Sequence, residues 1–158
     1  MLPRQHILWG AIFAFIIWII IPAIGLGGFL IIFLSSFLID VDHYVYYIFK
    51  MKEFNLKKSM AWFVLNRDKF EKMSPKKKKQ IYSGLCFLHG IETLIILLVL
   101  SLVYVKFANI FLFVMLGFIF HQILDIIDMY RVGFAFDKVL SFTYAVIQSK
   151  NKRLLQEL

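Results

Sequence analysis

Residues 28–49 read GFLIIFLSSFLIDVDHYVYYIF. Up to Ile39 the run is apolar apart from Ser35 and Ser36, and it then takes up Asp40, Asp42 and His43. A helix needs about 20 mostly apolar residues to cross a bilayer, and this stretch supplies them. Ionisable groups inside such a stretch are costly, so they mark a functional site by default. The length of the run sets the expected fold, and its polar end sets the expected site.

Working outward, three more apolar blocks occupy residues 7–22, 81–105 and 110–130. Unbroken runs of this kind read as helices, because lipid offers the backbone no other hydrogen-bond partners. The expected fold is all-α: one domain over 1–158, an integral membrane bundle of four transmembrane helices with cytoplasmic amphipathic helices. Composition agrees. Hydrophobic residues make up 61%, against about 45–50% in soluble domains, and charged residues 18%, against about 25%. Disorder, a disulfide scaffold and most soluble folds are excluded. The single cysteine, Cys86, excludes an internal disulfide and a cysteine-rich zinc site, and reads as a small core residue. A cleaved signal peptide is the competing reading of block 7–22. Its n-region carries only Arg4, and no small-x-small cleavage site follows.

Orientation follows from the basic residues. Eleven of the 18 lysines and arginines lie in the loop 50–80, five follow the fourth block, Arg4 precedes the first, and only Lys106 lies on the other side. The positive-inside rule puts both termini and the loop 50–80 in the cytoplasm of a multi-pass protein of the cell membrane. The net charge of +8 is then explained by orientation and by anionic lipid headgroups, and nucleic acid is not required as a partner. Within the loop, Leu56, Met60, Phe63 and Val64 recur at helical spacing and predict a helix lying on the membrane surface. Segment 134–158 has a similar amphipathic character. Ser74-Pro75 reads as an N-cap and first helical residue, so the third helix is expected to rise from there through Lys76, Lys77, Lys78 and Lys79.

Five of the ten acids fall within the apolar blocks: Asp40, Asp42, Glu92, Asp125 and Asp128. Three of the four histidines join them: His43, His89 and His121. Each buried acid costs about 3 kcal/mol on insertion scales, so five cost roughly 15 kcal/mol if charged and unpaired. The apolar blocks hold no Lys or Arg to pair with them, so protons, metal ions or the histidines must neutralise them. At 100° per residue, Asp40 and His43 lie about 60° apart, as do His89 and Glu92, while His121, Asp125 and Asp128 share one stripe. Asp42 points about 160° from Asp40 on a regular helix, which makes it an outer or second-metal residue, or marks a distorted helix. All eight groups fall at the cytoplasmic level of their helices, with His89 about 12 Å above the start of its block. Histidine and carboxylate one turn apart on facing helices is how helical bundles hold metals. The expected ligands are Asp40, Asp42, His43, His89, His121 and Asp125. Imidazole with carboxylate suits Zn²⁺ first, with Mn²⁺ or Fe²⁺ as alternatives, and eight groups are enough for one or two ions.

Asp40-Val41-Asp42-His43 at the end of a second membrane helix resembles the Asp-x-Asp-His motif of the membrane-bound metal-dependent hydrolases of bacteria and archaea. His89 with Glu92, and His121-Gln122-Ile123-Leu124-Asp125, are similar to that family's motifs on its next two helices. The likeness covers residues 26–133. Ile39 stands where the family usually has Pro, and Gly84-Leu85 where many members have a His-Arg pair. The resemblance implies a hydrolase with His and Asp metal ligands at these positions. The ligand set is also similar to that of the all-helical zinc-dependent phospholipases C, which favours a phosphoester. On this reading Glu92 or Asp128 takes a proton from water, and Arg131 at the cytoplasmic rim holds the phosphate. The substrate is lipid-linked or otherwise membrane-associated, and membrane lipids are the surroundings. The alternative is a metal, ion or proton transporter or sensor using the same cluster.

Overall fold

A computed structural model describes residues 3–78, 81–82 and 86–132, together with 143, 146, 153 and 154. The elements are α1 (Pro3–Ile20), α2 (Gly25–Leu38), α3 (Val41–Met51), α4 (Leu56–Glu71), α5 (Pro75–Lys78), β1 (Ile81–Tyr82), α6 (Ile91–Val103), α7 (Ala108–Val132) and β2 (Arg153–Leu154). Among the described residues the elements are helical apart from β1 and β2, which pair in parallel over two residues each. Among the described residues two stretches, Pro22–Met51 and Val105–Val132, are long and apolar enough to cross a membrane, and Arg4–Ile20 and Ile91–Val103 are shorter apolar helices. The expected amphipathic segment 134–158 lies outside the described residues except at 143, 146, 153 and 154.

The chain divides into two compact units. The first comprises Met1–Asp40 and Ile91–Asp125. Here α1 ends because Pro22 cannot donate to the helix and pushes Ile21 to φ −127°, ψ 74°. Gly25 then takes φ +62°, a value that side chains resist, and α2 begins. The packing of α2 relies on small residues. Gly10 of α1 meets Ser36, and Gly117 of α7 meets Ser35 and the Ile32 carbonyl, so closely that a Cβ at either glycine would overlap its neighbour. The buried hydroxyls bond back into their own helices: Ser35 Oγ donates to the Ile31 carbonyl at 2.7 Å, Ser36 Oγ to Phe33 at 2.7 Å and Ser101 Oγ to Leu98 at 2.7 Å. Ala14, Ile32 and Ile39 are fully buried.

The second block was expected to be one helix over 28–49, but α2 stops at Leu38 and α3 starts at Val41. The cause is a competing donor. In a regular helix the Ser36 carbonyl would take the Asp40 N–H. Instead it accepts the His121 Nδ1 proton at 2.8 Å, and the Asp40 N–H turns to the Phe37 carbonyl at 3.3 Å.

The second unit comprises Val41–Gly90 and Ile126–Leu158. Asn55 caps α4, its Oδ1 accepting the Lys58 N–H at 3.1 Å. In the preceding turn, Lys58 Nζ donates to Glu53 at 2.6 Å and the Tyr47 hydroxyl donates to it at 3.0 Å. These bonds hold the Glu53 carboxyl below its ordinary value. The helix expected from Leu56, Met60, Phe63 and Val64 forms as α4, with Leu56, Met60 and Val64 exposed, while Ser59, Asn66 and Phe70 face inward. Arg67 reaches α7 and grips both oxygens of Asp128 at 2.7 and 2.9 Å. Lys78 Nζ donates to the Val132 carbonyl at 2.7 Å, which satisfies one of the orphan acceptors ending α7.

The third block was expected to be helical over 81–105, rising from Ser74-Pro75. One turn does form at Pro75–Lys78, but residues 81–82 are extended and α6 starts only at Ile91. Just before α6, Asp42 takes the Leu88 N–H at 3.0 Å, a donor that a helix would use internally.

Candidate metal centres

The break at Ile39–Asp40 sorts the site residues between the units. In the first unit, Asp40 follows the end of α2, while His121 and Asp125 stand one turn apart on α7. His121 is wholly buried. A carbonyl only accepts, so its bond to Ser36 O fixes the imidazole proton on Nδ1. Nε2 then faces Asp125 Oδ2 at 3.2 Å and Asp40 Oδ1 at 3.4 Å. A neutral ring held this way aims a lone pair at two carboxylate oxygens. That is repulsive in a dry site unless a cation, either a second proton or a metal ion, lies among the three atoms. Ligands bound at about 2.0–2.2 Å around Zn²⁺ stand about 3–3.5 Å apart, which these separations match. A histidine donating its other nitrogen to a backbone carbonyl is a recurrent way of aiming a metal ligand.

His6 also belongs here, and the sequence reading missed it. From the first turn of α1 its Nε2 sits 3.2 Å from Asp125 Oδ1, and its ring stacks on His121 with centroids 3.9 Å apart. It is 1% exposed, and its Nδ1 has no partner. Lying among Pro3, Arg4 and Gln5, it reads as part of a solvated helix end. The only signal was its position one residue before an apolar block that has an acid to match at similar depth. Glu92 belongs to the same unit, partly buried in the first turn of α6.

In the second unit Asp42, His43 and His89 come together, joined by Cys86. Asp42 Oδ2 lies 3.0 Å from His89 Nδ1 and also accepts the Leu88 N–H. His43 Nδ1 lies 2.9 Å from Cys86 Sγ, and the His43 and His89 rings are 4.7 Å apart. Cys86, read from the sequence as a core residue, is half-buried beside these polar groups. Each of the four offers a ligand atom within 4.8 Å of the others. Buried His and Asp groups able to hold a metal ion are thus present in each unit.

Asp128 and Arg131, also expected from the sequence, belong to the second unit. Asp128 gives both oxygens to Arg67, an arginine of α4 that lies outside the apolar blocks. Arg131 is exposed in the last turn of α7. No family model, curated protein or solved structure matches this chain.

Proposed function

We propose that the chain is an integral membrane, divalent-metal-dependent hydrolase. Its substrate on this reading is a phosphoester of a lipid or membrane-associated molecule, reached from the cytoplasmic side. The observation that carries the proposal is the fixed ring of His121, with Nδ1 committed to Ser36 and Nε2 turned on Asp40 and Asp125. Asp40, His121 and Asp125 hold the ion, and Zn²⁺ suits them. When bound, a divalent ion supplies acidity to water and polarises a phosphoryl oxygen. The residues do the rest. His6 steadies Asp125 from its far oxygen. Asp128 is tied by two charge-assisted bonds to Arg67, so proton acceptance falls to Glu92, the remaining carboxylate of the first unit. Arg131, exposed and unburdened by the ion, suits an anionic headgroup.

The membrane setting is supported by burial. Only 28% and 22% of an 18-residue apolar window in the two membrane-length stretches is buried within the protein, so their exposed apolar side chains call for another apolar solvent. Loop 50–80 supplies the positive charge expected on the cytoplasmic side, and the resemblance of Asp40-Val41-Asp42-His43 to membrane-bound hydrolases supports the same reaction class.

The test incubates purified protein with phospholipids and polyprenyl phosphates, with and without added Zn²⁺ or Mn²⁺. Cleavage is expected only with metal, and Asp125→Asn, which weakens a ligand itself, should lower it by about a hundredfold, the upper end of what losing a partner that merely orients a metal ligand costs. Absence of any cleavage, with Asp125-dependent metal uptake into proteoliposomes, would replace the hydrolase with a transporter.

A further inference from the structure

We propose that the turn between α3 and α4, together with the outward stripe of α4, is a docking surface for the headgroup region of an anionic lipid bilayer. The inference rests on the membrane setting of the proposed function and not on its chemistry.

The turn carries aromatic side chains that the protein leaves uncovered. Phe49 is 73% exposed and Phe54 77%. Leu56, Met60 and Val64 follow at helical spacing on α4 and are exposed too. Ser59 and Asn66 are buried on the inward face beside Phe70, and Asn66 Nδ2 has no hydrogen-bond partner there. Helix α4 therefore turns polar groups inward and an apolar stripe outward, which departs from an ordinary surface helix in water. Such a face calls for an apolar neighbour.

The turn is held in place by its own bonds. Lys52 takes φ +56°, and its N–H donates to the Ile48 carbonyl at 2.9 Å, a left-handed end to α3. The Tyr44 hydroxyl donates to the Phe54 carbonyl, and Glu53 is gripped by Tyr47 and Lys58. Asn55 caps α4 directly afterwards. The backbone around Phe54 is thus fixed on both sides while its ring is left outside.

Position and charge choose the occupant. The turn begins where the membrane-length stretch Pro22–Met51 ends, so on the membrane reading it lies at headgroup level and lipid is the apolar neighbour at hand. Lys52 and Lys57, both exposed, stand in sequence on either side of Phe54. Glycine would be the easier residue at φ +56°, so the lysine puts a charge in the turn at a backbone cost. Exposed lysines flanking apolar side chains fit a surface with anionic headgroups above and acyl chains below.

The test uses full-length protein in a Cys86→Ser background. One reporter at a time, Phe54→Cys, Met60→Cys or Lys69→Cys, carries an environment-sensitive nitrobenzoxadiazole dye. Position 69 lies about 180° around α4 from Met60 and serves as the control. The protein is placed in nanodiscs of phosphatidylcholine, alone or mixed with phosphatidylglycerol. In the anionic discs the dyes at 54 and 60 should emit to the blue and be quenched by doxyl-labelled lipid, while the dye at 69 stays water-like. Salt raised from about 0.1 M to about 1 M shortens the Debye length from about 10 Å to about 3 Å and should weaken the signal. Lys52→Gln with Lys57→Gln should raise the phosphatidylglycerol fraction needed for half of the signal at least about twofold. The proposal is overturned if the dyes at 54 and 60 stay water-like in both discs, if they respond equally without anionic lipid, or if the dye at 69 is quenched as strongly. A blue shift without doxyl quenching also overturns it, because the neighbour is then protein, a second copy included. An alkaline carbonate wash of proteoliposomes separates this inference from the membrane reading. A chain that resists the wash with water-like dyes loses the docking surface alone, and a chain washed off although its dyes sat in lipid loses its spans alone. Neither result moves the cleavage assay.

Discussion

At the scale of single residues, the main result is how little freedom His121 has. Two neighbouring choices of hydrogen bond, Ser36 O to Nδ1 and Asp40 N to Phe37 O, break a helix and aim a ring nitrogen at once. This coupling predicts a linked loss. Metal at a hundred times its Kd should stabilise the unsubstituted protein by about 2.7 kcal/mol. His121→Ala removes a ligand of the first group and should shrink that increment. It should also lower stability without metal, because the Ser36 carbonyl loses its donor in a buried place, at about 1–3 kcal/mol. Thermal melts with and without Zn²⁺ check both effects. An unchanged metal increment would mean that the first group holds no ion.

Between elements, small residues allow close approach. Among the described residues, helix α2 touches α1 through Gly10 and Ser36, and α7 through Gly117, Ser35 and Ile32. On the proposed membrane reading, lipid is as apolar as a leucine side chain, so burying apolar area gives little gain and short interhelical distances matter more. Gly117→Ile should therefore drive α7 off α2 and cost about 1–3 kcal/mol by overpacking. Gly27→Ala is the control. It lies in α2 with open space where its Cβ would go, and should be neutral or stabilising by up to about 1 kcal/mol. Melting temperatures of the two variants in one detergent check the contrast, and equal losses would show that close packing at Gly117 is unimportant.

For the whole molecule, the charge distribution carries the expectation of topology. Eleven basic residues in loop 50–80 set against Lys106 alone predict that Lys78 and Asn109 lie on opposite sides of the membrane. Single cysteines at those two positions, in a Cys86→Ser background, should label from opposite faces of oriented vesicles. Labelling from the same face would remove the four-span topology and leave two membrane-length stretches to be placed afresh.

The sequence by itself determined the helical class, the two long apolar stretches and the identity of most groups that can hold a metal. Each of these follows from local pattern: run length for the spans, and residue type for the ligands. It also gave α4, whose apolar stripe keeps helical spacing, though not the face that turns inward. Tertiary structure decided the rest. The break before α3 depends on a donor 85 residues away in sequence, and no periodicity in residues 28–49 encodes that. The late start of α6 likewise depends on Asp42 claiming the Leu88 N–H. His6 became part of the first group only because α1 packs against α2 and stacks its ring on His121. Cys86 became a candidate ligand only because the chain before α6 runs past His43. Side-chain hydrogen bonds over long sequence distances competed with local backbone bonds and won, because in a buried site a polar group left unpaired costs more than an interrupted helix.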